Sequence, residues 1–155
     1  MRDSNRPIPT DEYETIVKHV PIISVDLLVH HNGGLVLGKR KNAPARGKGF
    51  VPGGTVLKDE TRRQAVHRVA EEELGSDVLI DNKLGTYDLF FHTAEVDGAN
   101  SKQYLATAYV VTPIQSDIST DDQHTTLKVF NSPFPDLHNY IERYIRDLRK
   151  NGYRY

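Results

Sequence analysis

The sequence predicts an α/β fold in which helices cover a mixed β-sheet. Segments rich in β-branched and aromatic residues come first, followed by an amphipathic helix, further strands and a second amphipathic helix. The length of 155 residues suits one domain, which would bury roughly 70% of its unfolded surface. We therefore expect a single domain over residues 1–155, which begins with a flexible arm at 1–9 that contains two prolines.

Two local signals organise the first part of the chain. Thr10 is the expected N-cap of a short helix at 11–19. The Asn-Gly-Gly sequence at 32–34 is a turn signal between two β-rich segments, and it predicts a hairpin with arms at 22–30 and 35–39.

The segment at 61–74 has the strongest helical pattern. Its apolar residues recur every three or four positions, and Gly75 follows as a natural stop. These apolar residues are Ala65, Val66, Val69, Ala70 and Leu74. A second amphipathic helix is predicted at 136–150, and its apolar stripe contains Leu137, Tyr140, Ile141, Tyr144, Ile145 and Leu148. Further strands are predicted at 78–80, 85–92, 103–113 and 126–130.

The composition argues against several classes of function. The 20 Lys and Arg residues and 21 Asp and Glu residues give a net charge of −1, without the basic excess of nucleic-acid-binding proteins. The absence of cysteine excludes disulfides and thiolate chemistry and fits a reducing cytoplasm. The start of the chain is polar, and no apolar run approaches the ~18 residues that span a membrane. We expect a cytoplasmic protein without nucleic-acid or membrane partners.

The segment GTVLKDETRRQAVHRVAEEELG at 54–75 is typical of a site that holds a divalent cation against a diphosphate. Gly53 and Gly54 are predicted to form a turn that permits positive φ and brings backbone close to a phosphate or an ion. Glu72 and Glu73 end the helix, where the macrodipole disfavours negative charge unless a cation compensates for it. Mg²⁺ prefers one or two carboxylates together with substrate phosphates.

Each of these features also has a simpler interpretation. Pro-Gly-Gly alone is an ordinary turn, and a run of three glutamates is most often solvated. Arg68 precedes Glu72 by four residues, so it is placed to bridge to Glu72 or to Glu60. As a surface pair, such a bridge would contribute only roughly a few tenths of a kcal/mol.

The joint spacing resembles the Nudix box. A glycine is followed after five residues by a glutamate and after seven more by an arginine, and a Glu-Glu pair is then separated by one residue from a final glycine. The resemblance implies a Nudix-type α/β/α sandwich with a central mixed β-sheet. It also implies hydrolysis of a nucleoside diphosphate linked to another moiety, with Mg²⁺ or Mn²⁺ as cofactor. Val69 stands where the box has a metal-binding glutamate, and Ser76 stands where the box has an aliphatic residue. Because valine cannot bind a metal, a site with two or three metals is compromised.

One Nudix subgroup, the GDP-mannose mannosyl hydrolases, lacks the same acid. The sequence resembles this subgroup, in the same order, at VPIISVDLLV, LVLGKRKNAPARGKGFVPGG, KDET, Gln103-Tyr104 and Asp122-Gln123-His124. The resemblance implies a nucleoside diphosphate sugar similar to GDP-mannose as substrate. Water would attack C1 of the sugar with inversion, and the nucleoside diphosphate would leave. A homodimer is also implied.

The resemblance gives roles to individual positions. His124 matches the general base, and Arg40 matches an arginine that contacts the leaving diphosphate, so both are expected to be catalytic. The implied metal ligands are the backbone carbonyl of Gly53, Glu73 and Gln123. The implied substrate-binding residues are Asp26, Arg40 and Tyr104. The residues expected to support the metal ligands without binding the metal are Glu60, Arg68 and Glu72.

Some of these positions also fit ordinary structural roles. Asp26 interrupts an apolar strand and would then be a hydrogen-bonded structural carboxylate. Tyr104 would be a core aromatic, and His124 a solvated loop histidine. Thr55 stands where the subgroup has an arginine, so the diphosphate would need a positive charge from elsewhere. The candidate replacements are Arg46, Lys48 and Arg62.

Two other functions stay open. One is a Nudix pyrophosphohydrolase that cuts the P–O bond of ADP-ribose, a dinucleotide or a nucleoside triphosphate. It would recruit an acid such as Glu72 or one in the loop at 117–122. The other is a catalytically impaired nucleotide-sugar-binding module, which the residues Val69, Thr55 and Ser76 would explain.

Overall fold

Seven strands and three helices make up the part of the chain that the computed structural model describes, residues 7–40, 49–92, 101–118, 125–132, 134 and 137–155. The strands are β1 (Ile22–His31), β2 (Gly34–Arg40), β3 (Gly49–Phe50), β4 (Gly53–Thr55), β5 (Val78–Phe91), β6 (Lys102–Pro113) and β7 (Thr125–Phe130). The helices are α1 (Thr10–His19), α2 (Arg62–Leu74) and α3 (Asn139–Lys150).

The strands form one mixed sheet, as predicted. Five of them follow the order β3-β2-β1-β6-β5, while β4 pairs with β1 and β7 pairs with β2. β1 and β6 run parallel, and the other pairs are antiparallel. β1 is therefore the central strand, with neighbours on both of its edges.

α2 and α3 cover opposite faces of β1. Successive side chains of a strand point to opposite faces. Val25 and Leu27 belong to the core cluster that contains the buried residues of α2. Leu28 belongs to the cluster that contains the buried residues of α3. The predicted α/β/α sandwich is confirmed.

α1 starts one residue earlier than predicted, so the assignment of Thr10 as N-cap is wrong. Thr10 is already helical, and Pro9 is the cap, with no side-chain hydrogen bond. The Pro9 carbonyl accepts from Tyr13 N at 2.9 Å, so the first turn closes on backbone alone. The helix packs Tyr13 and Val17 against Ile22 at the start of β1.

α2 follows its local signals closely. Its five buried residues are the five predicted from spacing. Thr61 is the N-cap rather than the first helical residue, and it forms a capping box with Gln64. Gly75 ends the helix at φ 67°, a left-handed conformation that favours glycine.

Two predicted boundaries are wrong for non-local reasons. The strands expected at 78–80 and 85–92 are one strand, because β5 pairs with β6 along its whole length through two irregularities. The helix expected from 136 begins only at Asn139, with His138 as N-cap. Leu137 instead forms a parallel β-bridge with Gly49, the first residue of β3. In the described part of the chain, each helix is too short or too polar to cross a membrane.

Candidate functional site

Gly53 and Gly54 lie in a strand rather than in a turn. β4 pairs antiparallel with β1, with Gly53 opposite Asp26 and Gly54 opposite Val25. Neither glycine has a positive φ, so the prediction of a left-handed turn here is wrong. The glycines are needed for space instead. A Cβ at Gly53 would lie 2.5 Å from Asp26 Oδ1 and 2.8 Å from the Val25 backbone oxygen.

Val69 fills the contact between α2 and β4. A Cβ at Gly54 would lie 2.8 Å from Val69 Cγ2, so the helix packs directly on the glycine. Val69 is only 1% exposed and belongs to the core on this face of the sheet. The position that carries an acid in the Nudix box is therefore a closed apolar contact.

Glu73 lies one turn beyond Val69 on the same face of α2, since residues four apart in a helix share a face. It is half-buried, whereas Glu71 and Glu72 are exposed. The three consecutive glutamates therefore lie in different environments. Glu73 is the one on the helix face that covers β4.

Arg68 ties the loop before α2 to the helix. Its Nε and Nη2 donate to the two carboxylate oxygens of Glu60 at 2.8 and 2.9 Å, and Nη2 also donates to the Thr55 carbonyl at 2.7 Å. Its Nη1 donates to Glu72 Oε1 at 3.2 Å. Both bridges considered for this arginine are therefore present.

The pKa values of Glu60 and Arg68 are shifted from their ordinary values in the directions that favour the charged form of each side chain. The hydrogen bond from Arg68 lowers the pKa of Glu60, and the hydrogen bond to Glu60 raises the pKa of Arg68. Glu60 Oε1 also accepts from Leu57 N at 3.1 Å. The ion pair thus fixes the loop from 55 to 60, which continues directly from the glycines of β4.

Asp26 is a buried carboxylate with a tyrosine donor. It is 7% exposed, and Tyr144 of α3 donates its hydroxyl to Asp26 Oδ2 at 2.5 Å. Burial and the adjacent charge of Asp26 raise the pKa of Tyr144, so the hydroxyl keeps its proton. In the sequence, Tyr144 stands on the apolar stripe of the helix predicted at 136–150. The signal that pointed to it is the buried aspartate itself, because such a group requires a donor.

Tyr104 lies on the same face of the sheet as Asp26. β6 pairs Tyr104 with Ile22 of β1. Ile22 and Asp26 are four residues apart in the same strand, so they point to the same face of the sheet. The Tyr104 ring meets Phe91 edge-on at 5.8 Å between centroids, and Lys102 Nζ lies 5.1 Å from its centroid. The half-buried ring therefore has packing partners, and its contact with a phosphate stays a prediction.

Gln123 and His124 lie outside the described residues. Only the backbone of Arg40 is described, at the end of β2. It pairs with Thr125, the residue that follows His124 in the sequence. Of the two residues expected to be catalytic, the structure therefore describes only the backbone of Arg40, which lies opposite the first residue of β7.

The charge missing at Thr55 is not supplied by a described contact. Of the three candidate replacements, Arg62 donates to Thr107 Oγ1 on β6 at 3.1 Å. Arg46 and Lys48 lie outside the described residues. Thr55 itself contributes its backbone carbonyl to Arg68.

The described residues contain no group of three or more His, Cys, Asp or Glu side chains arranged to hold a metal ion. The predicted ligand set has a different composition, with one carboxylate, one backbone carbonyl and one amide. These are all oxygen donors, which hard cations such as Mg²⁺ prefer. The set is chemically suited to a single magnesium ion.

Replacing Gly53 with alanine is expected to destabilise the protein by about 1–3 kcal/mol, the usual cost of overpacking. The new Cβ would meet a backbone oxygen of β1 as well as Asp26, and the backbone oxygen cannot move without breaking strand pairing. Urea unfolding at neutral pH measures the loss.

Gly54→Ala is the matched control, since the obstacle there is the Val69 side chain alone. Adding Val69→Ala is expected to restore the stability that Gly54→Ala loses, but not the stability that Gly53→Ala loses. If it restored the stability of both variants equally, the close approach of Asp26 and Gly53 would not be what limits residue 53.

Comparisons with known proteins agree with the box and the fold. A family model described as the NUDIX domain matches residues 20–145. The chain is 54% identical over 141 residues to the low-salt glycan biosynthesis protein Agl8 of Haloferax volcanii, covering 91% of this chain and 90% of that protein. It is 27% identical over 135 residues to an ADP-ribose pyrophosphatase of Methanocaldococcus jannaschii, covering 85% of this chain and 76% of that protein.

Among solved structures, a MutT Nudix hydrolase from Burkholderia pseudomallei matches with a TM-score of 0.64 at 26% identity, covering 83% of this chain and 98% of that chain. The family model spans most of the sequence, including the box and both flanking sets of strands. The chain therefore belongs to the Nudix hydrolase family.

Proposed function

We propose that this Nudix hydrolase cleaves a nucleoside diphosphate sugar of the GDP-mannose type, with Mg²⁺ or Mn²⁺, by attack of water at C1 of the sugar. The observation that carries the proposal is the closed contact between Val69 and Gly54. The box position that usually supplies a metal-binding acid is sealed in the core, while Glu73 remains on the same face of α2. A single available carboxylate in the box fits a site for a single metal ion. A single ion is sufficient for a reaction in which the diphosphate leaves intact and is not itself attacked.

The proposed chemistry needs few groups. A lone pair of water forms the new bond to C1 while the bond from C1 to the diphosphate oxygen breaks, and that electron pair leaves with the nucleoside diphosphate. His124 takes the proton that water loses, a role that typically contributes ~10²–10⁴-fold. Arg40 contacts the diphosphate, and Asp26 and Tyr104 bind the substrate.

The metal would be held by the Gly53 carbonyl, Glu73 and Gln123. Bound there, Mg²⁺ supplies neutralisation of the charge that develops on the leaving diphosphate. Arg68 supports this arrangement indirectly, since it joins the Thr55 carbonyl, beside the glycines, to Glu60 and to Glu72 next to Glu73. The loop and the helix that would share the ion are thereby held together.

The similarity to a glycan biosynthesis protein at 54% identity supports a sugar-linked substrate, because glycan assembly draws on activated sugars. We further propose, from the resemblance to the mannosyl hydrolases, that the protein works as a homodimer in the cytoplasm. Light scattering of the purified protein would give the mass of two chains.

A second candidate function is P–O cleavage of ADP-ribose or another diphosphate. The similarity to an ADP-ribose pyrophosphatase at 27% identity favours it. It would require an acid in place of Val69. Glu72 is one candidate acid, but its carboxylate accepts from Arg68 on the exposed side of α2. A third candidate, a binding module without turnover, is favoured by the same valine.

Hydrolysis of a panel of nucleotide sugars in ¹⁸O-labelled water decides among the three. We expect the label in the free sugar and unlabelled nucleoside diphosphate, as measured by mass spectrometry. Label in a phosphate, with a nucleoside monophosphate among the products, would show P–O cleavage instead. Tight binding without turnover across the panel would support the binding module.

A further inference from the structure

The face of the sheet that α2 packs against is only partly covered by this helix. α2 begins at Arg62, whose Nη1 donates to Thr107 Oγ1 of β6 at 3.1 Å. Thr107 pairs with Val25 of β1, which belongs to the core beneath α2. The next residues on this face lie two positions earlier in each strand, beyond the first residue of the helix.

Three large apolar side chains are exposed at this uncovered end of the sheet. Ile23 of β1 pairs with Leu105 of β6, and Phe90 of β5 is a diagonal neighbour of Leu105 across the β5–β6 pair. Ile23 is 51% exposed, Leu105 39% and Phe90 57%. Paired residues and diagonal neighbours are close enough for large side chains to meet. We call these three residues the sheet patch, and an exposed apolar patch with a polar rim is typical of a protein–protein contact.

Opposite charges flank the sheet patch. Asp88 of β5 is exposed and pairs with Leu105. The guanidinium of Arg62 lies on Thr107, two residues along β6 from Leu105. Leu105 is therefore a close neighbour of one anionic and one cationic group. A surface with a single sign of charge would repel a copy of itself, whereas this one can be complementary to itself.

A two-fold axis that passes close to Leu105 uses all of these groups. It places Leu105 against its counterpart in a second copy, and it brings Arg62 of each copy toward Asp88 of the other. We propose that the sheet patch is the contact surface of a homodimer, in which two copies of the chain meet face to face and Arg62 pairs with Asp88 across the interface. This surface rests on the homodimer proposed above and adds the residues that form it.

The dimer contact leaves the proposed substrate face free. Asp26 and Tyr104 belong to β1 and β6, the strands that also carry Ile23 and Leu105. Because successive side chains of a strand point to opposite faces, the two pairs lie on opposite sides of the sheet. Variants in the sheet patch therefore test association without removing a residue from the proposed active site.

Leu105→Asp places a charge at the centre of the sheet patch. It is expected to raise the dissociation constant of the dimer by at least about 30-fold, as for the loss of a central interface anchor. Sedimentation velocity over a range of protein concentrations measures this constant. Leu79→Asp is the matched control, because Leu79 is 60% exposed near the other end of β5. It should leave the dissociation constant close to that of wild type, and thermal unfolding of both variants reports any loss of stability.

A charge swap tests the pairing across the two-fold axis. Asp88→Arg and Arg62→Asp should each raise the dissociation constant by at least about 10-fold, because like charges then face each other. The double variant restores opposite charges, so its dissociation constant should return toward the wild-type value. Additive losses in the double variant would overturn the pairing of Arg62 with Asp88.

The remaining outcomes separate the surface from the rest of the proposed function. A dimer that Leu105→Asp leaves intact, or that Leu79→Asp weakens equally, would overturn the sheet patch as its surface while the homodimer itself stands. A monomeric wild-type protein would refute both the homodimer and the surface, and would leave the sheet patch to a different partner. The position of the ¹⁸O label is independent of all these results, so the proposed reaction stands or fails separately.

Discussion

Replacing Glu73 with glutamine is expected to lower kcat/KM about 100-fold, equivalent to about 2.7 kcal/mol of transition-state stabilisation. The physical reason is the closed contact at Val69, which leaves Glu73 as the box carboxylate on the face of α2 that covers β4. In the proposed mechanism Glu73 is the anionic ligand of the metal, so its loss would leave the charge on the leaving diphosphate poorly neutralised. Steady-state kinetics over a range of Mg²⁺ concentrations would also show half-activation shifted at least about 10-fold upward.

Glu71→Gln is the control for this variant. It removes the same charge from the same turn of α2, at an exposed position. Its kinetics and its Mg²⁺ dependence should stay close to wild type. If the two variants behaved alike, the glutamates would be a solvated run, and a metal site at Glu73 would be excluded.

Replacing Arg68 with alanine is expected to lower the free energy of unfolding by about 2–4 kcal/mol. The change leaves the largely buried carboxylate of Glu60 without its two charged hydrogen bonds and releases the Thr55 carbonyl. Arg68→Lys keeps the charge but not the planar fork, so it should lose an intermediate amount. Urea unfolding at pH 7 measures both losses.

The pH dependence of this loss has a defined sign. Arg68 lowers the pKa of Glu60 below its ordinary value of 4.5, so the pair contributes its full stability above that pH. The contribution disappears as the pH falls through the lowered pKa of the folded protein. The difference between wild type and Arg68→Ala should therefore shrink on acidification below pH 4.5. A difference that stayed constant would mean that Arg68 stabilises the protein through packing or through its bond to the Thr55 carbonyl rather than through Glu60.

Local patterns predicted α2 well because their causes are local. The spacing of its apolar residues, the cap at Thr61 and the stop at Gly75 all act within one or two turns. The same is true of the hairpin turn, where Asn32 and Gly33 both take positive φ. The mixed sheet followed from the order of such segments.

Features that depend on distant partners could not be predicted in this way. Gly53 and Gly54 were interpreted as a turn because their pairing with β1 involves residues almost thirty positions earlier. The middle of β5, with Asp81, Asn82 and Lys83, lacks β-forming residues, so the sequence predicts a loop there. Pairing with β6 nevertheless keeps this segment in one continuous strand. Tyr144 was assigned to packing because its partner lies on another element.

The close approach of Asp26 and Gly53 makes these two positions interdependent. The space that a side chain at 53 would occupy is already taken by an oxygen of residue 26. A library that varies residue 53 should return almost only glycine, even when it also offers small residues at 26, because the backbone oxygen of Val25 still occupies the space that a Cβ needs. Variation at 26 would therefore remove one of the two obstacles at 53 and leave the other, so residue 53 stays a fixed point in any redesign of this pair of strands.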